Sequence, residues 1–105
     1  MHDATQAQLN ELPDASGVYV MRDGRGRVVY VGKAESLKRR VPAHFDPKRD
    51  DKADLFDAEV EDIELIAASI SILRERERLL IRRYKPRLNT QLVNENYKVR
   101  RRQSR

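Results

Sequence analysis

Two short runs of β-branched and aromatic residues, Gly17-Val18-Tyr19-Val20-Met21 and Val28-Val29-Tyr30-Val31, stand out in an otherwise polar chain. Runs of this length and composition predict strands. Between them, Arg22 to Arg27 carries an Asp23-Gly24 turn signal, so the pair is expected to form an antiparallel hairpin whose second strand ends at Gly32. Ahead of the hairpin, residues 1–16 read as a flexible arm or a short lead-in helix. Pro13, with fixed φ and no N–H, makes a turn of Leu12-Pro13-Asp14.

Beyond Gly32 the period changes. Ser36 suits the N-cap of a short helix in which Leu37 and Val41 share a face, and Pro42 must bend or end that helix. Leu55 and Phe56 suggest one helical turn, and Ile63-Glu64-Leu65-Ile66-Ala67 alternates as a third strand. Ser69 or Ser71 then caps a helix running to about Tyr84, before Lys85-Pro86 stops it. The apolar positions of this last helix, Ile70, Leu73, Leu80, Ile81 and Tyr84, recur at three- and four-residue spacing. At ~100° per residue Glu77 lies within ~60° of every member of that stripe, whereas Glu75 points ~160° away. A carboxylate on an apolar face is costly unless it is paired or bound to a metal. The pattern leaves both explanations open: an internal ion pair with Arg or Lys, or a metal ligand.

The predicted architecture is a small α+β domain, a three-stranded antiparallel or mixed sheet flanked by helices, with the two tyrosines on its open side. It divides into a flexible lead-in over residues 1–11, one domain over 12–92 and a basic tail over 93–105. At 105 residues, with 39% hydrophobic and 37% charged positions, the chain supports one thin core under a highly charged surface. The absence of Cys excludes disulfides, thiolate zinc sites, iron–sulfur clusters and a Cys nucleophile, leaving oxygen- and nitrogen-ligand chemistry. No run approaches the ~18–20 apolar residues that cross a bilayer, and the polar start lacks a signal-peptide core, so a cytoplasmic protein without a membrane partner is expected.

Charge sharpens this picture through its distribution. Residues 74–105 hold 12 basic and 3 acidic residues, whereas 46–64 hold nine acidic and three basic ones. A strongly basic C-terminal end suggests a polyanionic partner such as nucleic acid, whether DNA or RNA, because Lys and Arg contacts to phosphates release counterions. Arg39, Arg82, Arg83, Lys85, Arg87, Arg100, Arg101 and Arg102 are the candidate contacts. The acidic segment lacks the spacing and the glycine of an EF-hand, so it reads as a solvated face without chemistry.

Gly17-Val18-Tyr19 and Tyr30-Val31-Gly32, with ten residues between the tyrosines, resemble the paired motifs of the GIY-YIG nucleases. The likeness is closest to the UvrC-like amino-terminal nuclease domains and spans residues 12–89. Leu12-Pro13 before the first motif, Lys33-Ala34 and Leu37-Lys38-x-Arg40-Val41 after the second, Asp62-Ile63-Glu64, and the Glu77 helix followed by Lys85-Pro86-Arg87-x-Asn89 keep the same order. Pro42 departs from the pattern, in which the helix normally continues.

The resemblance implies a DNA-repair type of endonuclease that hydrolyses phosphodiester bonds with one Mg²⁺ or Mn²⁺. It implies active-site positions at Tyr19, Tyr30, Lys33, Arg40 and Glu77, with His44 where such domains often carry Tyr and some relatives carry His. Gly17 and Gly32 match the motif glycines, and Asn89 the asparagine after the helix. In this reading Glu77 is the metal ligand, Arg40 steadies the phosphate, and Tyr19 is the general base toward water. The reference pKa of Tyr19, ~10, would then have to be lowered by Lys33, Arg40 or the metal. Only 16 residues follow Asn89, so a stand-alone nuclease is expected, targeted by its tail, by homodimerisation or by another protein. The alternative is a catalytically inactive nucleic-acid-binding adaptor of the same fold.

Overall fold

The computed structural model describes residues 1–90. Its elements follow in the order α1 (Asp3–Asn10), β1 (Gly17–Arg22), β2 (Val28–Ala34), α2 (Leu37–Ala43), α3 (Ala53–Glu59), β3 (Asp62–Ala67), a 3-10 turn (Ile70–Ile72) and α4 (Leu73–Tyr84). The sheet order is β2-β1-β3 with both pairings antiparallel, so the mixed alternative does not occur. The hairpin forms as its apolar runs predict, but β2 continues two residues past Gly32 to Ala34. The turn is organised by Asp23, whose carboxylate accepts the backbone N–H groups of Arg25 and Arg27. Its left-handed position is Gly26, φ 79°, and not the glycine of the Asp-Gly pair.

Strand alternation divides the core into two layers. Tyr19, Met21, Ala34 and Ile63 face a cluster with Leu37 and Val41 of α2, Phe56 of α3, and Leu88. Val18, Val20 and Val31 face the other side, where Leu73, Leu80 and Ile81 of α4 cover them. The helix α2 is capped as expected, the Ser36 hydroxyl accepting from the Arg39 N–H at 3.4 Å. Pro42 sits within its last turn, and the helix ends one residue later. The turn anticipated around Leu55 and Phe56 is a seven-residue helix with Phe56 fully buried.

Of the two alternatives for the lead-in, the short helix is the one that forms: Thr5 is buried with its hydroxyl on the Val60 carbonyl, and the Gln8 amide bridges the Ile63 N–H and the Asp62 carboxylate of β3. Two sequence expectations are corrected. The last helix starts at Leu73, after the 3-10 turn, and neither Ser69 nor Ser71 caps it; their hydroxyls bond each other. Because the chain is not α-helical at Ile70, the stripe is shorter than its spacing suggests. Ile70 is 60% exposed and Tyr84 38%, and the packed face is Leu73, Leu80 and Ile81.

After α4, Lys85 adopts a left-handed conformation that turns the chain across the outer edge of β2. Leu88 then packs on the opposite layer from α4, while Asn89 meets the strand edge: its Oδ1 accepts the Val31 N–H and its Nδ2 donates to the Val31 carbonyl, both at 2.9 Å. One side chain thus satisfies both groups that an edge strand leaves open. Asn89→Ala is expected to lower stability by about 1–3 kcal/mol in urea unfolding, because it strands two partly buried backbone groups. Asn89→Asp, which keeps the acceptor and loses the donor, should fall between.

Candidate active site at the edge of β2

Tyr19 and Gly32 are direct cross-strand partners. A Cβ built on Gly32 would overlap Cζ and Oη of Tyr19, so the ring lies flat across the glycine. Since β2 is the edge strand, this carries the hydroxyl out from β1 to the rim of the sheet. Gly17 has a different reason: its Cβ would come within 2.6 Å of the Ile66 carbonyl, where β1 and β3 close together.

At that rim the hydroxyl of Tyr19 lies 2.6 Å from Nε2 of His44. His44 follows α2, is 2% exposed, and stacks on Phe56 with ring centroids 4.6 Å apart. Tyr30 completes an aromatic cage, 6.2 Å from Tyr19 and 5.1 Å from both His44 and Phe56 by centroids. The expectation that both tyrosines occupy an open side is therefore corrected. Tyr19 is only 1% exposed, because α2 and α3 cover this layer, and Tyr30 is half-buried.

The charged members approach from the other side of β2. Lys33 is directed toward α4, where its Nζ lies 3.2 Å from Oε1 of Glu77. The Glu77 side chain retains 20% exposure. The ion-pair explanation of this carboxylate holds, yet the group is not sealed off. Arg40 is exposed, and its positive charge acts on Tyr19, Tyr30 and His44 alike. Glu77 is near enough for its own charge to act on both tyrosines.

These surroundings set the protonation states. Burial, reinforced by Tyr30, raises the pKa of Tyr19 well above its ordinary value, and Arg40 offsets this only in part. Tyr30 is raised chiefly by burial as well. Lys33 and Arg40 do not lower the Tyr19 pKa as expected, because removing a phenolate from water outweighs one exposed guanidinium. His44 moves the other way, down to about 4, through burial and then the charge of Arg40, with Asp50 opposing. At neutral pH the site therefore holds a protonated phenol hydrogen-bonded to a neutral imidazole.

Among the described residues there is no group of three or more His, Cys, Asp or Glu able to enclose a metal ion. The donor set is one carboxylate with a free oxygen. It fits Mg²⁺, which dehydrates reluctantly and commonly takes one or two carboxylates plus water and phosphate, and it does not fit a pair of ions.

The candidate nucleic-acid contacts are scattered. Arg39, Arg82, Arg83 and Lys85 are exposed, and the Arg83 guanidinium lies over the ring of Tyr84 at 5.4 Å. Arg87 is engaged with Glu59 at 2.6 Å and lies 4.0 Å from Asp23. Arg100, Arg101 and Arg102, with the rest of the proposed tail, lie outside the described residues. The acidic segment is more than a solvated face: Glu59 binds Arg87, Glu64 binds Arg22 at 2.6 Å, and Asp50 reaches His44. Sequence reading missed Asp50 and Phe56 as neighbours of the site, since neither belongs to a motif or a periodic stripe. No helix among the described residues is long and apolar enough to cross a membrane.

A family model for the UvrC-like GIY-YIG domain matches residues 15–90. The chain is similar to the UvrABC system protein C of Anaeromyxobacter sp. (strain Fw109-5), 47% identical over 90 residues that make up 80% of this chain and 12% of that protein. Against the same protein of Carboxydothermus hydrogenoformans the identity is 40% over 91 residues, 84% of this chain and 15% of that one. The chain thus spans only 12–15% of the length of these curated relatives. Among solved structures, the GIY-YIG N-terminal endonuclease domain of UvrC from Thermotoga maritima, a point mutant bound to its catalytic divalent cation, superposes with a TM-score of 0.75 at 25% identity. That match covers 83% of this chain and 96% of that one. The magnesium-bound form of the same domain gives a TM-score of 0.74 at 25% identity over 83% and 97% of the two chains.

The depressed pKa of His44 has a consequence for stability. A histidine held neutral contributes fully above its unfolded pKa of 6.5, and the contribution is lost as pH falls from there through about 4. Urea unfolding at pH 7 and pH 5 should show a loss on the order of 2 kcal/mol from this group. His44→Gln should flatten that part of the dependence.

Proposed function

The chain belongs to the family of UvrC-like GIY-YIG domains, and we propose that it is a metal-dependent endonuclease cutting DNA by phosphodiester hydrolysis. The observation that supports this most is the convergence at one rim of β2 of Tyr19, Tyr30, Lys33, Arg40, His44 and Glu77, drawn from two faces of the sheet. Structural ion pairs and core aromatics have no reason to meet at a single edge strand.

Hydrolysis requires a water to lose its proton, the phosphoryl charge to be offset, and the leaving oxygen to be stabilised. A protonated, buried Tyr19 is a poor base alone, because its phenolate is scarce. Hydrogen-bonded to neutral His44, it becomes a relay: the hydroxyl takes a proton from water while passing its own to Nε2. Tyr30 packs against both partners and holds their rings in register. Arg40 presents a planar fork suited to a phosphate and is exposed, although it also hydrogen-bonds Tyr19. Glu77 is the residue that would hold one Mg²⁺ or Mn²⁺, with Lys33 balancing its charge at 3.2 Å until substrate arrives. When bound, the ion would supply charge neutralisation at the phosphoryl and leaving oxygens.

Non-specific backbone affinity falls in this reading to exposed Arg39, Arg82, Arg83 and Lys85, with Arg87 and Arg100 to Arg102 as further members. A targeting protein or a second copy of the chain would choose where the cut falls.

Purified protein with Mg²⁺ should nick plasmid or branched DNA, and Glu77→Ala should lower the rate by about 10²-fold or more while binding DNA as well as the wild type. Equal rates for the two proteins would overturn the catalytic claim; binding without cutting by the wild type would identify a nucleic-acid-binding adaptor instead. Binding should also weaken steeply between low and moderate salt, as phosphate contacts do.

A further inference from the structure

The His44 ring uses only one nitrogen in the relay. Its Nδ1 is the buried side-chain polar atom that lacks a hydrogen-bond partner among the described residues. The nearest anion is Asp50, whose Oδ2 lies 3.6 Å away. Asp50 is held in place from two directions: its Oδ1 accepts the Lys52 N–H at 2.8 Å, and its own N–H donates to the Asp46 carbonyl at 2.9 Å. The remaining oxygen is thereby turned toward the imidazole. The loop that carries it is tied back to α2, because the Arg49 guanidinium donates to the Arg39 carbonyl.

A neutral imidazole has one N–H and one lone pair, and its partners choose between the two tautomers. With the proton on Nε2, the ring would donate to the Tyr19 oxygen and turn the Nδ1 lone pair toward a carboxylate, which is repulsive. With the proton on Nδ1, the N–H faces the carboxylate and the Nε2 lone pair receives the Tyr19 O–H. Only the second arrangement lets Tyr19 act as a donor to His44 and leaves the phenol oxygen able to accept from water. Among the described residues, the groups facing the ring are Tyr19 from β1, Tyr30 from β2, Arg40 from α2, Asp50 from the loop between α2 and α3, and Phe56 from α3. Asp50 is the one anion among them, and Arg40 the one cation.

We propose that Asp50 is a positioning residue that holds His44 in its Nδ1–H tautomer, so that the Tyr19 hydroxyl passes its proton to Nε2. The proposal rests on the nuclease reading for its purpose, but not for its geometry. In the step it serves, a water O–H bond breaks and its proton joins the Tyr19 oxygen. The original phenolic proton moves to Nε2, and the water oxygen bonds to phosphorus. The bond from phosphorus to the leaving oxygen breaks with its electron pair, and that oxygen takes a proton from solvent. The imidazolium, briefly stabilised by the Asp50 carboxylate, later releases its extra proton to solvent.

The test is ¹⁵N NMR of the His44 ring at pH 7 in the metal-free protein, for the wild type and for Asp50→Asn. Asparagine keeps an Oδ1 for the Lys52 N–H while removing the charge, so the loop is preserved. The wild type is expected as the Nδ1–H tautomer, with Asp50→Asn shifting to a mixture or to Nε2–H. A wild type already in the Nε2–H form, or a tautomer unchanged in the variant, overturns the proposal. In cleavage assays Asp50→Asn should lower kcat about tenfold or more with KM for DNA held, and Asp50→Glu should recover part of the loss. A fall in KM-dependent terms alone, with kcat unchanged, also overturns it. Absence of cleavage by the wild type would sink the nuclease reading, while the ring tautomer would still decide the role of Asp50.

Discussion

A tyrosine ring lying across a glycine is the constraint on which this site depends. Tyr19 belongs to the central strand, the least accessible position in a three-stranded sheet. Its hydroxyl reaches the rim only where something lets the ring pass, and Gly32 is where that happens. Any side chain there would occupy the path of the ring. The glycine of the second motif is thus a steric requirement of the tyrosine of the first, enforced through strand register. The same register sends Lys33 to the opposite face, toward Glu77 on α4. One hairpin therefore supplies an aromatic, hydrogen-bonded half and a charged half, on opposite faces of the sheet.

The two halves differ in the medium they create. On the aromatic side, burial keeps Tyr19 protonated and His44 neutral, the two joined by a hydrogen bond. On the other side, Lys33 and Glu77 stay accessible enough to exchange their mutual contact for other partners. Arg40, itself exposed, acts on the aromatic half through its charge. Asn89 closes the arrangement mechanically, by completing the edge of β2 at Val31, next to Gly32. An edge strand that frayed at this point would lose the alignment of both halves.

Carboxylates of the acidic segment turn out to be fastenings. Glu64 pairs across to Arg22, Glu59 to Arg87, and Asp50 lies against His44. Their clustering in sequence has no collective meaning, because the helix, loop and strand that carry them point in different directions. The basic α4 shows the converse. Its exposed arginines are what its composition suggests, but its apolar stripe is shorter than the spacing implies, since a 3-10 turn intervenes at Ile70.

The sequence by itself determined the hairpin, the capped α2, the third strand and the anomalous inward position of Glu77. Each of these depends on local periodicity, turn chemistry or a cap, which act over a few residues. Resemblance of motifs pointed to Tyr19, Tyr30, Lys33, Arg40, His44 and Glu77 as companions. Only the tertiary structure decided that the tyrosines are covered and that Lys33 answers Glu77 across 44 residues. It alone turned the pKa of Tyr19 upward and placed Asp50 behind His44. Burial and charge pairing are properties of assembled layers, and no local pattern records which face a neighbouring element will cover. The protonation states of Tyr19 and His44 are therefore set by packing that the residues involved do not themselves encode.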